Sequence, residues 1–282
     1  ATTGISVNMA TSVVQDGQGG NDTLNGIEQI WGSIFNDSML GGNNSDFFVG
    51  SAGADTFSGG SGIDSVSYAL NPANSTTATQ GVSVNLTTGA GRDGYGGVDS
   101  LSGIEVITGS SLADTIIGNG PGLRFLGDAG NDSLSVGTGS NTLDGGNGDD
   151  TLSGGAGNDN LTGGSGFDLL TYADVTQSVT VSLLGGRATG GGGADTFSGI
   201  ENVITGAGND SLLGDGAGNI LTAGSGNDTL AGGSGNDTLS GGLGHDSING
   251  DSGVDWVTYA DATGLVNVFL GVGRSFSAGG DD

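Results

Sequence analysis

The chain repeats every nine residues, and this period limits what it can fold into more than any other feature. The clearest copies read GGNGDDTLS, GGAGNDNLT and GGSGFDLLT, and they follow one another from Gly145. Seventeen in-register copies form three blocks, which begin at Gly32, Gly109 and Thr205. The eighth position is apolar in all seventeen copies, and the sixth is almost always Asp. A short apolar strand that returns at a fixed interval predicts a solenoid, in which neighbouring repeats stack on each other.

The acidic residues of the chain require a counter-cation. The net charge is −27, because 31 acidic residues, only three of them Glu, stand against four Arg. Self-repulsion of this size opposes a compact state unless cations neutralise it. The 64 Gly raise the entropic cost of folding further. The composition therefore predicts bound cations and excludes nucleic acid and anionic membrane surfaces as partners.

Other classes of structure find no support in the sequence. There is no Cys, so disulfides and thiolate metal sites are excluded. No apolar run approaches the length of a membrane span, and the first residues do not form a signal peptide. Transmembrane insertion is therefore not expected. Because the sequence pattern runs to both ends, we expect the chain to be part of a longer protein.

A second motif separates the nonapeptide blocks. Its four copies, GISVNM, GVSVNL, SVTVSL and LVNVFL, show the alternation of a β-strand. A Gly-rich stretch and a GIE sequence follow the first three copies. The three Glu, at 28, 105 and 201, each precede an Asp by nine residues, so they occupy the sixth position of a degenerate repeat.

The nine-residue register is therefore expected to run through these segments. It places Val179 nine residues after Leu170 and Val266 nine residues after Val257. An insertion between Tyr68 and Gln80 is the one expected break. The expected organisation has four parts: residues 1–67 (a strand and GIE segment, then a block at 32–67), 68–171 (an inserted loop, a strand and GIE segment, then a block at 109–171), 172–258 (a strand and GIE segment, then a block at 205–258) and 259–282 (the start of a further unit).

Each repeat divides into a six-residue turn, GGxGxD, and a three-residue strand whose central side chain points inward. Two repeats make one coil of eighteen residues, so each turn stacks on the turn eighteen residues later, about 4.8 Å away. Two Asp eighteen residues apart then face one gap. Carboxylate and carbonyl oxygens at this spacing suit a hard cation, and Ca²⁺ tolerates such flexible geometry better than Mg²⁺.

The pattern GGxGxDxUx, where U is apolar, resembles the haemolysin-type calcium-binding repeat of the RTX family. The resemblance implies an all-β fold, a right-handed parallel β-roll with two nonapeptides per turn, here interrupted by longer loops. It implies Ca²⁺ held between turns by Asp side chains and carbonyls of the glycine region. It also implies type I secretion, in which the chain leaves the cell unfolded and folds on Ca²⁺ outside, where the ion reaches about 10⁻⁴ to 10⁻³ M.

Carried onto this sequence, the resemblance and the eighteen-residue spacing predict eight metal sites: Asp37 with Asp55, Asp46 with Asp64, Asp114 with Asp132, Asp132 with Asp150, Asp150 with Asp168, Asp210 with Asp228, Asp228 with Asp246, and Asp237 with Asp255. Three weaker mixed sites pair Glu28 with Asp46, Asn141 with Asp159, and Asn219 with Asp237. The resulting expectation is roughly 8–11 Ca²⁺ ions. Leu123 stands where an Asp is expected, so the gaps beside Glu105 and Asn141 are expected to be empty or weakly bound.

Alternative interpretations find less support in the sequence. A disordered Gly/Asp-rich tail does not explain why the eighth position is apolar in all seventeen repeats. An ice-binding surface would need a ladder of Thr at the third position, where Thr138 stands alone.

The only histidine, His245, lies in a variable turn position. Asp174 and Asp261 recur in YAD and could act as a carboxylate pair on glycosides, but a turn cap or an extra calcium ligand is the simpler interpretation. Trp31 and Trp256 could stack on a sugar or a partner, or cover a coil edge.

Two functional hypotheses remain open. The first is a structural segment of a large secreted bacterial surface protein of S-layer, filament or adhesin type, at the cell surface, with self-association or other surface components as partners. The second is the calcium-dependent folding and secretion module of an RTX exoenzyme or toxin. In neither hypothesis is this segment itself an enzyme.

Overall fold

The computed structural model describes residues 2–69 and 78–260. They form two compact units, one of residues 2–137 with 141–150, the other of residues 138–140 with 151–260. Regular secondary structure in these ranges consists of β-strands alone. The described part of the chain accordingly contains no helix long and apolar enough to cross a membrane. The predicted all-β class is confirmed.

The first unit contains sixteen strands in two sheets. They are β1 (Ser6–Asn8), β2 (Val13–Gln15), β3 (Asn21–Thr23), β4 (Gln29–Trp31), β5 (Ser38–Leu40), β6 (Phe47–Val49), β7 (Thr56–Ser58), β8 (Ser65–Ser67), β9 (Ser83–Asn85), β10 (Ala90–Arg92), β11 (Val98–Ser102), β12 (Val106–Thr108), β13 (Thr115–Gly118), β14 (Arg124–Ala129), β15 (Ser133–Val136) and β16 (Thr142–Asn147). One sheet has the order β15-β13-β9-β10-β11-β7-β5-β1-β2-β3, and the other β16-β14-β12-β8-β6-β4.

The second unit contains thirteen strands, again in two sheets. They are β17 (Thr151–Ser153), β18 (Asn160–Ser165), β19 (Leu169–Tyr172), β20 (Val179–Ser182), β21 (Arg187–Gly190), β22 (Gly193–Ser198), β23 (Asn202–Thr205), β24 (Ser211–Leu213), β25 (Ile220–Thr222), β26 (Thr229–Ala231), β27 (Thr238–Ser240), β28 (Ser247–Asn249) and β29 (Trp256–Val257). The two orders are β29-β27-β25-β23-β19-β17 and β28-β26-β24-β20-β21-β22-β18.

Within each nonapeptide array, strands pair in parallel with a register of eighteen residues. Gln29 lies opposite Phe47, Thr115 opposite Ser133, and Ile220 opposite Thr238. Hydrogen-bonded neighbours are therefore two repeats apart, and successive repeats alternate between the two sheets. This is the parallel β-roll with two nonapeptides per turn that the sequence predicts.

The core is the row of eighth-position side chains. Fifteen of the seventeen are at most 1% exposed, among them Phe48, Leu152 and Leu221. The two others are Ile248, which is half-buried, and Val257, which is 40% exposed. They lie in the last described coil, on which no other described coil stacks. One buried side chain per strand thus supplies a narrow core, as expected for a solenoid.

Each interruption of the arrays is a three-stranded antiparallel segment, which we call an insert. The inserts are β1–β3, β9–β11 and β20–β22. In each insert one Val of the first strand pairs with the middle strand and with an eighth-position residue of the following array: Val7 with Val14 and Met39, Val84 with Gly91 and Ile116, Val181 with Ala188 and Leu212. The third strands β11 and β22 pair instead with the preceding arrays, through β7 and β18. The second and third inserts therefore each join two arrays.

The inserts correct one prediction about register. Val181, not Val179, takes the eighth-position place, because it lies opposite Leu212. Val179 takes the sixth-position place, since its N–H donates to Asp210 Oδ1 at 2.8 Å. Counting in nines fails here because the segment between β19 and β20 is two residues longer than a nonapeptide allows, so Val181 follows Leu170 by eleven residues. Val266 and Asp261 lie outside the described residues, as do most of the predicted insertion after Tyr68 and the part predicted at 261–282.

The fourth-position glycine shows why the turns tolerate no side chain there. Gly226 has φ +151°, and a Cβ at this position would overlap the carbonyl oxygen of Gly208 in the preceding coil. A side chain would thus be strained by the backbone conformation and would also push two coils apart. The glycine allows the eighteen-residue stacking.

Leu212 and Leu213 are neighbours on β24, and they allow a matched test of the core. Leu212 is 1% exposed and Leu213 is 39% exposed. We expect Leu212→Ala to lower the free energy of unfolding by about 3 kcal/mol, because it leaves a cavity in the core. Leu213→Ala should change it by less than about 0.5 kcal/mol. Urea titrations in excess Ca²⁺ measure both values, and equal losses would contradict the inward orientation of the eighth position.

Candidate metal sites

A ladder of hydrogen bonds connects the sixth positions of stacked coils. The backbone N–H of each sixth-position residue donates to a carboxylate oxygen, Oδ1, of the Asp one coil later. The distances are 2.8 Å from Asp37 to Asp55, 2.8 Å from Asp46 to Asp64, 2.7 Å from Asp114 to Asp132, 2.7 Å from Asp132 to Asp150, 2.7 Å from Asp210 to Asp228, 2.9 Å from Asp228 to Asp246, and 3.1 Å from Asp237 to Asp255. Seven of the eight principal predicted pairs are therefore brought together.

The remaining predicted pairs have different outcomes. Asn219 donates its N–H to Asp237 Oδ1 at 2.8 Å, so this mixed pair is also brought together. Glu28 lies one coil from Asp46, but it is exposed, and only its backbone carbonyl bonds to that coil, accepting from Phe47 N–H at 2.7 Å. The pairs Asp150 with Asp168 and Asn141 with Asp159 join residues of the two units, and they stay predictions.

The second carboxylate oxygen, Oδ2, lies within its own turn. In three coils it accepts the N–H of the turn's second residue, from Ser33 to Asp37, from Gly42 to Asp46, and from Ser110 to Asp114. In other coils it is buried and has no hydrogen-bond partner among the described residues. These coils include those of Asp55, Asp64, Asp132, Asp210, Asp228 and Asp237. A buried carboxylate oxygen without a donor is costly, so it indicates a bound cation.

A small space beside the first-position glycine collects these oxygens. A Cβ placed on Gly127 would overlap both Asp132 Oδ2 and the carbonyl oxygen of Gly145, one coil later. The space beside Gly232 has the same walls, Asp237 Oδ2 and the Gly250 carbonyl oxygen. The absence of a side chain thus leaves a cradle whose two nearest atoms are oxygens. Such donors fit Ca²⁺, which binds carboxylate and carbonyl oxygens in irregular geometry.

Carboxylates do not gather in larger clusters. In residues 2–69 and 78–260, no three His, Asp or Glu side chains form a group that could hold a metal ion. Each site must therefore combine one or two carboxylates with backbone carbonyls, as the sequence predicts for the glycine region.

Four further carboxylates extend the ladder, and the eighteen-residue rule predicts none of them as a site residue. Asp99 accepts the Asp55 N–H at 2.9 Å, and Asp195 accepts the Asp159 N–H at 2.9 Å. Glu105 and Glu201, which the register places at sixth positions, accept the N–H of Asp64 at 2.9 Å and of Asp168 at 2.8 Å. The spacings of 44, 36, 41 and 33 residues hide these pairs from an eighteen-residue rule. The recurrence of Asp six residues before the Glu of GIE is the signal that could have revealed them.

The departures from the Asp pattern lie where the sequence predicts. Leu123 is 8% exposed and occupies a sixth position, with its N–H donating to Asn141 Oδ1 at 2.9 Å. It offers no carboxylate to the gap. Another carboxylate, Asp93, is fully buried in the second insert and was not singled out from the sequence.

Burial controls the electrostatics of the ladder. It raises the pKa of Asp55 to about 8, assisted by the charges of Asp99, Asp37 and Asp93. Burial also raises the pKa of Asp132 to about 7 and that of Asp228 to about 6, again with help from neighbouring carboxylates. Without a cation, the folded chain therefore favours protonated carboxyl groups.

The sequence profile of the RTX calcium-binding nonapeptide repeat matches residues 31–66, 124–150, 135–170, 189–230 and 222–257, more than half of the chain. The chain belongs to this family. No curated protein matches it. As an RTX protein it binds several Ca²⁺ ions, and the buried Oδ2 atoms and oxygen-lined cradles agree with that property. The bound ions neutralise the negative charge of the carboxylates. The RTX repeat serves as a structural calcium-binding module.

The other residues singled out from the sequence lie at the surface. Trp31 is 48% exposed and Trp256 is 69% exposed, as their outward strand positions predict. Asp174 is exposed beside Tyr172. His245 is an exposed turn residue whose N–H donates to Asn227 Oδ1 at 2.9 Å. Their roles stay predictions.

The raised pKa values predict how the calcium-free RTX chain responds to pH. In the folded chain the pKa values of Asp55, Asp132 and Asp228 lie above the ordinary Asp value of about 4. Folding therefore makes these carboxylates bind protons more tightly. Their contribution to stability is therefore fully present below about pH 4 and is lost progressively as the pH rises from about 4 to about 8. In calcium-free buffer, circular dichroism should show more β-structure at about pH 5 than at about pH 8.

The control is excess Ca²⁺ at the higher pH, which should restore the β-structure because the cation replaces the protons. More β-structure at the higher pH in calcium-free buffer would contradict the assignment of buried carboxylates as the groups that limit folding.

A charge-matched pair of substitutions tests the predicted ligands. Asp132→Asn keeps a hydrogen-bond acceptor for the ladder but removes a buried charge. Asp149→Asn removes the same charge from an exposed turn position. We expect Asp132→Asn to raise the Ca²⁺ concentration at half-folding about tenfold, equivalent to about 1.4 kcal/mol, and to lower the number of bound ions. Asp149→Asn should alter neither. Titration by circular dichroism with elemental analysis of bound calcium provides both values, and identical behaviour of the variants would refute the role of Asp132.

Proposed function

We propose that this chain is a calcium-stabilised β-roll segment of a large secreted bacterial surface protein, of S-layer, filament or adhesin type. The observation that carries the proposal is that one structural unit, an insert followed by a nonapeptide array, is built three times with matching strand pairs. In all three inserts an N–H at the start of the first strand, or just before it, also donates to the first Asp of the array, from Ile5 to Asp37, from Val82 to Asp114, and from Val179 to Asp210. Modules that join in this way suit an extended protein.

The buried carboxylates support folding outside the cell. Binding that only the folded chain offers adds directly to the free energy of unfolding. The extracellular calcium range of about 10⁻⁴ to 10⁻³ M then favours the folded chain, whereas the lower calcium concentration inside a cell leaves it unfolded. Proteins with RTX repeats are typically secreted by bacteria, and this proposal extends that property to a location at the cell surface.

Electron microscopy of the purified chain tests the structural role. We expect ordered filaments or sheets in millimolar Ca²⁺ and dispersed chains in EDTA, because the ladder forms only when its carboxylates are neutralised. A chain with full β-structure in Ca²⁺ that stays dispersed would contradict the proposal. That result would favour the folding and secretion module of an exoenzyme or toxin.

A further inference from the structure

The hairpin loop of the second insert contains a buried carboxylate that the nonapeptide pattern does not explain. Asp93 lies between β10 and β11, outside the nonapeptide copies, and it is 0% exposed. Its Oδ1 accepts the N–H of Tyr95 at 2.9 Å and that of Gly97 at 2.6 Å. Its Oδ2 is buried and has no hydrogen-bond partner among the described residues. One oxygen of Asp93 therefore holds the loop, whereas the other is buried without compensation, which is costly.

A backbone carbonyl of the preceding array lies beside this second oxygen. A Cβ placed on Gly97 would overlap both Asp93 Oδ2 and the carbonyl oxygen of Gly53. Gly53 belongs to the turn of Asp55, on which the insert stacks through the Asp55 N–H and Asp99. Gly97 is half-buried, so water reaches this side of the loop. The space beside Gly97 thus has the two kinds of oxygen donor that line the cradles of the arrays.

The third insert shows that stacking on an array does not require this carboxylate. Gly190 and Gly193 take the places of Asp93 and Gly97 in the strand register. A Cβ placed on Gly193 would overlap the carbonyl oxygen of Gly157, and its three nearest atoms all belong to the Gly157 backbone. The carbonyl is therefore present at both junctions and the carboxylate at one. Burial of Asp93 is not a cost that the architecture imposes.

The first insert shows that the loop itself does not require the burial either. Its sequence DGQGG at 16–20 corresponds to DGYGG at 93–97. Asp16 Oδ1 accepts the N–H of Gln18 at 2.8 Å and that of Gly20 at 3.4 Å, as Asp93 Oδ1 does in its own loop. Asp16 is half-buried, and a Cβ on Gly20 would approach no described residue except Asp16. The loop therefore folds around Oδ1 alone, and Oδ2 of Asp93 is left for another partner.

Neighbouring carboxylates make an unneutralised Asp93 unfavourable. Burial raises the pKa of Asp55 to about 8 and that of Asp99 to about 6, and the charge of Asp93 contributes to both shifts. Asp55 Oδ2 is also buried without a donor among the described residues. A cation beside Asp93 lowers this repulsion.

We infer that the second insert binds a Ca²⁺ ion of its own beside Gly97, with Asp93 Oδ2 and the Gly53 carbonyl oxygen as ligands and water completing the shell. Ca²⁺ accepts carboxylate, carbonyl and water oxygens in irregular geometry. The ion connects the hairpin loop of the insert to the first array, a contact for which the third insert lacks the carboxylate. This site is independent of the proposed role at the cell surface.

Counting bound ions by native mass spectrometry tests the contribution of Asp93. Asp93→Asn keeps an oxygen for the N–H groups of Tyr95 and Gly97, and its amide can donate to the Gly53 carbonyl, so the variant is expected to fold. Asp16→Asn is the matched control, because it makes the same change in the corresponding loop. In saturating Ca²⁺ the Asp93→Asn chain should carry one ion fewer than the unaltered chain, and the Asp16→Asn chain should carry the same number.

Circular dichroism verifies that both variants keep their β-structure. Equal counts in all three chains overturn the inference. So does the loss of several ions from the Asp93→Asn chain, since Asp93 then acts through the folding of the array.

Long-wavelength anomalous diffraction locates the ion in the unaltered chain, whether or not the variants fold. Crystals grown in Ca²⁺ should show a peak about 2.3 to 2.6 Å from both Asp93 Oδ2 and the Gly53 carbonyl oxygen. The corresponding place between Gly157 and Gly193 should show none. Absence of the peak beside Gly97, or peaks of equal height at both places, overturns the assignment of Asp93 as a ligand.

Discussion

The hydrogen bond from a sixth-position N–H to the carboxylate of the next coil is the interaction on which the rest of the structure depends. It fixes the distance and register between coils, as between Asp132 and Asp150 at 2.7 Å. It also holds the carboxylate in a buried place, where an ionised group is stable only with a partner of opposite charge. With four Arg in the chain, that partner cannot come from protein side chains. The contact that sets the register therefore creates the requirement for calcium.

The inserts preserve this ladder where the spacing between coils changes. The N–H of Val82 replaces an Asp N–H as the donor to Asp114, and Asp99 replaces a nonapeptide Asp as the acceptor for Asp55. Each insert thus presents donors on one side and carboxylates on the other, as a nonapeptide coil does. An array can be interrupted by an insert of about twenty residues and its coils still stack, because strands of the insert take the places of nonapeptide strands.

The nine-residue pattern of the sequence is sufficient to predict the structure of the arrays, but it is insufficient to predict the structure of the inserts. The period places Leu152 in the core and pairs Asp37 with Asp55 because each coil contacts only its neighbours, so spacing in sequence equals spacing in the fold. Inside an insert that equality ends. The longer segment between β19 and β20 moves the eighth-position place from Val179 to Val181. Asp195 meets Asp159 across 36 residues, a separation that follows from strand pairing and not from any period.

Two tyrosines show how an insert differs chemically from a regular turn. In the coils of Asp132 and Asp228, Oδ2 is buried without a protein donor among the described residues. In the inserts, the Tyr68 hydroxyl donates to Asp99 Oδ2 at 3.0 Å, and the Tyr172 hydroxyl donates to Asp195 Oδ2 at 2.6 Å. These two carboxylates have protein donors at both oxygens. The chain therefore uses two means of stabilising buried acid, a cation within the arrays and a tyrosine hydroxyl at Asp99 and Asp195.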